Sequence, residues 1–162
     1  MTKYSKQETF DLGVERLLRQ GRRSVSKNGG GCVYENERGD RCIGGLLLTD
    51  GQIDELHEKG IIGEGADSIV RQLKWPNWNG HNTEFVYELQ WIHDLSSYLP
   101  DHRKEVGESV WPLDLWLLGK AHNLDTSIIS KTLDSIEHEQ QQKLGGELLE
   151  EASITTETPA LV

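Results

Sequence analysis

Two cysteines, Cys32 and Cys42, stand with nine residues between them in the stretch GGGCVYENERGDRCIGG, residues 29–45. Several chemistries use such a pair. Structural zinc takes four tetrahedral ligands, usually from close C-x2–4-C pairs. The donors on offer are Cys32, Cys42, His57 and His93, with His81 a further histidine, and the cysteine spacing is wider than that pattern. A disulfide belongs to an oxidising compartment. A nucleophilic thiol needs a base within hydrogen-bond reach and surroundings that lower its pKa. Cys32 or Cys42 with His93 is the available combination. Asp94 follows His93 and supplies the third residue type of a relay. Neighbouring side chains on a helix leave it about 100° apart, so Asp94 is expected not to orient His93. No further His and Asp set completes a metal-dependent phosphohydrolase site, and there is no Walker loop, G-x-S-x-G elbow or H-E-x-x-H helix. Against these stands the plain reading of buried cysteines as small hydrophobes in a structural hairpin. Gly39 would serve its turn, and Gly44 and Gly45 the close approach of another element.

The elements that must position these residues are mostly helical. In SKQETFDLGVERLLRQG, Ser5 and Glu8 form a capping box, Phe10, Val14, Leu17 and Leu18 make one apolar stripe, and Gly21 stops the helix. CVYE and RCIGGLLL, joined by NERGD, read as a hairpin; the alternative is that IGGLLLTDG opens a short helix. Further helices are expected over TDGQIDELHEKG, ADSIVRQL, EFVYELQWIHDL (capped by Thr83), PLDLWLLGKAHNL and, after an Asp125 cap, TSIISKTLDSIEHEQQQ. Pro100 closes the region after the fourth. The periodicity fades from residue 144. Residues 1–143 therefore read as one globular domain, and 144–162, with four glutamates and no basic residue, as an acidic flexible tail.

The chain has 162 residues and a net charge of -10, from 27 acidic and 17 basic side chains. Phosphate neutralisation by Lys and Arg drives nucleic-acid affinity, so the balance disfavours a DNA or RNA partner. Arg16, Arg19, Arg22, Arg23 and Lys27 are the one local basic cluster and read as a solvated helix end. No apolar run approaches the roughly 20 residues of a bilayer span, and the N-terminus lacks a signal-peptide core. A cytoplasmic setting with reduced thiols is the expectation, with no membrane partner and no cofactor. Among the five tryptophans, Trp116 reads as core, whereas Trp75, Trp78 and Trp91 surround an Asn/Gly-rich connection and read as an exposed aromatic rim for a protein partner.

Gln20, Gly21, Ser24, Cys32, Tyr34, Gly39, Cys42, Gly45, Leu47, Leu89, Gln90, His93 and Asp94 together follow the order Q-G-x-x-S, C-x-Y, G-x-x-C-x-x-G-x-L, L-Q-x-x-H-D. This set resembles a family of small uncharacterised phage and bacterial proteins, over roughly residues 8 to 125. CIGG stands where members usually have CAVG. The resemblance implies a shared fold and a phage or mobile-element context, with no reaction attached.

The expectation is thus a mainly α, compact single domain of about five or six helices with one small β-hairpin. The leading functional reading is a non-enzymatic protein that binds a host or viral protein through an acidic surface with the Trp75, Trp78 and Trp91 rim. The alternatives are a cysteine-dependent hydrolase or transferase using Cys32 or Cys42 with His93, and a structural component of a virion or complex. The helix bearing His93 is expected to pack against the hairpin, bringing His93 nearer the thiols than any other histidine.

Overall fold

Seven helices form among the residues that the computed structural model describes, 2–27, 32–95 and 111–154. In order they are α1 (Lys6–Gln20), α2 (Ile43–Leu46), α3 (Asp50–Glu58), α4 (Ala66–Leu73), α5 (Thr83–Leu95), α6 (Trp111–Ala121) and α7 (Ser127–Ile154). The segment that Pro100 was to close, Gly29 to Gly31 and the last eight residues lie outside the described residues.

Local chemistry sets the helix ends. Ser5 caps α1 with the reciprocal Glu8 contact, and Gly21 ends it at φ 65°, in the left-handed region. Thr49 and Gln52 form a second capping box on α3. Asp125 Oδ1 accepts from Ser127 N at 2.9 Å at the start of α7. At α5 the cap is Asn82 rather than Thr83: its Oδ1 accepts from Phe85 N at 2.9 Å.

The hairpin is reduced to an isolated antiparallel bridge between Glu35 and Arg41. Its turn is held by Asn36, whose Oδ1 accepts from Arg38 N and Asp40 N, with Gly39 at φ 78°. Strand pairing stops there because Cys42 caps a helix. Its Sγ accepts from Gly45 N at 3.4 Å, and Ile43–Leu46 becomes α2, the alternative left open by the pattern.

Two adjoining cores share α5. Phe85, Leu89 and Ile92 join Phe10, Val14 and Leu17 of α1 and Trp111 and Leu115 of α6. Val86, one position round, joins Tyr34, Cys42, Ile53, Leu56, Ile69 and Trp78. The helix that carries His93 is therefore apolar on two faces and buried between neighbours. α7 does not end near residue 143 but continues to Ile154; its inward positions cease at Ile136, and the side chains of residues 137–146 are exposed. No helix among the described residues is long and apolar enough to cross a membrane.

Candidate active site

Cys32 lies in an extended segment stitched on both sides. It bridges Val25, Val33 N donates to Ser24 O at 2.9 Å, and Tyr34 N donates to Ile62 O at 2.9 Å. Gly63 must be small here, since a Cβ would sit 2.7 Å from the Cys32 carbonyl oxygen. Gly45 is under a harsher constraint: a Cβ would overlap the Tyr34 carbonyl oxygen, so α2 can lie directly on that backbone only through glycine.

Against this segment packs the C-terminal half of α5. Gln90 reaches across, donating from Nε2 to Tyr34 Oη at 3.1 Å and approaching Cys42 Sγ at 3.9 Å, while its Oε1 accepts from Ala66 N at 3.3 Å. Tyr34 in turn donates to the Glu64 carbonyl. One turn further, His93 is fully buried (0% side-chain exposure), its ring stacked on Trp111 at 5.4 Å between centroids and 23° between planes. His93 Nδ1 and Asp94 Oδ1 are 2.8 Å apart. Cys32 Sγ, a ring nitrogen of His93 and a carboxylate oxygen of Asp94 all lie within 4.8 Å of one another.

The expectation that Asp94 is badly placed to orient His93 is therefore wrong. The Cβ directions do diverge, but adjacent Cα atoms are only about 3.8 Å apart, and side-chain torsions swing the two tips back together. An ionised carboxylate only accepts, so Nδ1 carries the hydrogen and the tautomer is set.

The two thiols differ in kind. Cys42 is buried, and burial pushes its thiol up to about 12, with Asp94 and Cys32 adding to the shift. Such a thiol is inert at neutral pH. Cys32 is half-buried and belongs to the cluster. The four zinc donors are not assembled. His57 sits exposed on α3, Cys42 is outside the cluster, and His81 stacks on Tyr4 at 4.3 Å and bonds Thr9 Oγ1 at 2.8 Å. Cys32, His93 and Asp94 are themselves zinc-type donors. Two ligands about 2.0–2.1 Å from a tetrahedral zinc would stand about 3.3 Å apart. The 2.8 Å separation of His93 and Asp94 is that of a shared proton.

Beside the cluster a cleft of about 170 Å³ opens between the Gly63–Glu64–Gly65 loop and α5, where Tyr87, Gln90, Trp91 and Asp94 line it. The four α5 positions run i, i+3, i+4, i+7 and form one stripe. Gly63, where an added Cβ would meet the Cys32 carbonyl, and Asp94 join cleft and cluster.

The tryptophan expectations need correcting. Trp78 is in the core (0% exposed), because the turn at Asn77 to Gly80 docks on α2 and its Nε1 donates to Gly44 O at 2.9 Å. Trp75 packs edge-on against it and is half-buried. Of the three, Trp91 alone is strongly exposed (52%). Trp116 is 44% exposed instead of core, and Trp111 fills that place. The basic cluster is turned to acceptors on the protein itself: Arg19 to Glu15 and Glu139, Arg22 to Asp40, Lys27 to Glu37, and Arg16 to the Leu46 carbonyl.

Gln90, Glu64, Tyr87 and Gly63 went unnoticed in the sequence as site residues. The Q-x-x-H spacing was a signal, since i and i+3 share a helix face. Nothing local pointed to Glu64 or Gly63. Comparison with protein-family models, with curated proteins and with solved structures finds no match to this chain.

Proposed function

We propose that the chain is a cysteine-dependent hydrolase or transferase, with Cys32 the nucleophile, His93 the general base and Asp94 the residue that orients the imidazole. The observation that carries the reading is the grouping of thiol, imidazole and carboxylate within 4.8 Å around a fully buried ring. The Cys32 proton passes to the His93 imidazole, and the thiolate attacks an acyl carbon. The imidazolium protonates the leaving group as its bond breaks, and a thioester remains on Cys32. Water or an acceptor, deprotonated by His93, then cleaves the thioester and restores the thiol. Asp94 stabilises the transient imidazolium. The resemblance adds a phage or mobile-element setting to this reading. Its test is covalent trapping: incubation with activated acyl esters, then intact-mass and peptide analysis. An acyl adduct on Cys32, lost in Cys32→Ala and strongly slowed in His93→Gln, is the expected result. Labelling that ignores both substitutions defeats the reading.

A second reading, a module that binds a protein partner, draws on a different surface from the one the tryptophan spacing indicated. Leu113, Trp116, Leu117 and Leu133 are exposed on α6 and α7, beside a groove lined mainly by apolar side chains of the same helices. The net charge of -10 favours a basic amphipathic partner. Salt-sensitive binding of a lysine-rich amphipathic peptide, abolished by Trp116→Ser, supports it; no binding at low salt removes it.

A further inference from the structure

The cleft beside Cys32 has a definite chemical character. One wall is the Glu64 loop, in which the carboxylate is fixed by N–H groups of Ile62 and Gly63, both donating to Oε2 at 3.1 Å. That bonding leaves Oε1 with its acceptor capacity. The other wall is the α5 stripe, where Tyr87 is 44% exposed and Asp94 lines the floor with Gln90. Trp91 is the more exposed of the two aromatics and stands one turn after Tyr87 on the same face. Among the described residues, no Lys, Arg or His lines the cleft. Two aromatic residues and two carboxylates, with no basic side chain among the described lining residues, make a site for an organic cation: ring faces attract it through their quadrupole and the carboxylates through its charge. A volume of about 170 Å³ suits a side-chain-sized group and is too small for a whole cofactor.

We infer that this cleft binds the cationic end of the substrate, an alkylammonium or guanidinium group, and so selects acyl groups that carry a basic side chain. The assignment rests on the reading of Cys32 as the nucleophile only for the word substrate. The cleft itself binds the cation whether or not the thiol reacts. Asp94 then has two duties, since Oδ1 holds His93 and the same carboxylate lines the cleft. A bound cation would thereby sit next to the residue that sets the imidazole.

The test separates binding from chemistry. Full-length Cys32→Ala protein is titrated calorimetrically with Nα-acetyl-lysine methyl ester, Nα-acetyl-arginine methyl ester and the uncharged Nα-acetyl-norleucine methyl ester. At least one of the two cationic esters should bind about tenfold or more tightly than the norleucine ester, a preference that falls with added salt. The lysine and arginine arms decide which cation is favoured. Glu64→Gln, which keeps an oxygen for the Ile62 and Gly63 N–H groups, should erase most of the preference, and Trp91→Leu should weaken both cationic esters about threefold or more. Equal binding of all three esters, or a preference untouched by Glu64→Gln in a protein of normal melting temperature, overturns the inference. Cation binding without any acyl adduct on wild-type Cys32 upholds the cleft and removes the nucleophile instead.

Discussion

Asp94 Oδ1 holds His93 Nδ1 at 2.8 Å, although the two residues are neighbours on one helix. The ring cannot turn away, because Trp111 covers one face and the side chain is fully buried. Asp94→Asn keeps the size of the side chain and removes its charge. Iodoacetamide alkylation of Cys32 at pH 7 should slow about tenfold, and its pH profile should move to higher pH. Any acyl turnover should fall by about 10²–10⁴-fold. An unchanged alkylation profile would reduce Asp94 to a structural neighbour.

The two thiols should separate cleanly under the same reagent. Burial raises Cys42 to about 12, leaving it almost wholly protonated at pH 8, while Cys32 is half-buried beside the imidazole. Peptide mapping of native protein should find modification at Cys32 alone, with Cys42 labelled only after denaturation. Equal rates in the native state would mean that the segment around α2 opens readily.

Gly45→Ala should be among the most damaging single-methyl changes in the chain. The added Cβ meets the Tyr34 carbonyl, a backbone atom that can yield only by moving the segment between Cys32 and α2. A loss of roughly 2–4 kcal/mol is expected in urea unfolding. Gly51→Ala on α3 is the control: nothing lies within 4 Å of its added Cβ. It should be neutral or stabilising by about 0.5–1 kcal/mol. Similar effects at both sites would contradict the close approach.

Acid should destabilise the fold through His81. Burial lowers this imidazole from 6.5 to about 4, and the positive charges of Arg16 and Lys3 act in the same direction. Between those values the unfolded chain binds a proton that the folded chain does not, so stability falls as pH drops through that window. The loss approaches about 3 kcal/mol by pH 4, at 1.36 kcal/mol per unit. Chemical denaturation at stepped pH measures it. His81→Asn, which keeps a donor for Thr9, should flatten that part of the profile, and an equally steep profile in the variant would assign the slope elsewhere.

Removing residues 144–162 should shift the melting temperature by less than about 2 °C. α7 continues to Ile154, yet the side chains from 137 to 146 are exposed, and the Arg19–Glu139 ion pair, itself exposed, lies before the cut. A drop of several degrees in differential scanning calorimetry would mean that the removed segment packs on the domain.

What the sequence determined by itself is what depends on residues a few positions apart. Ser5 with Glu8, Thr49 with Gln52, Asp125 with Ser127, and Gly21 at its positive φ are interactions closed within one turn, and their types and spacing suffice to specify them. The apolar stripe of α1 is legible for the same reason, and with the other stripes it implies a mainly helical domain. Tertiary structure alone decided which buried face each ambiguous residue took. Trp78 stands among Asn and Gly in sequence and Trp116 among leucines, yet the Asn77–Gly80 turn drives the first onto Gly44 while the second lies on the outer face of α6. Ile43–Leu46 takes a helical start from its local Cys42 cap, but its glycines lie directly against Tyr34 and Gln90 from elsewhere in the chain. The site is the clearest case. Cys32 and His93 are sixty-one positions apart, and only the packing of α5 against the Cys32 segment brings them together. That packing also left Cys42 sealed beneath Gln90 and opened the Glu64 cleft, because burial and proximity are properties of surfaces meeting in space.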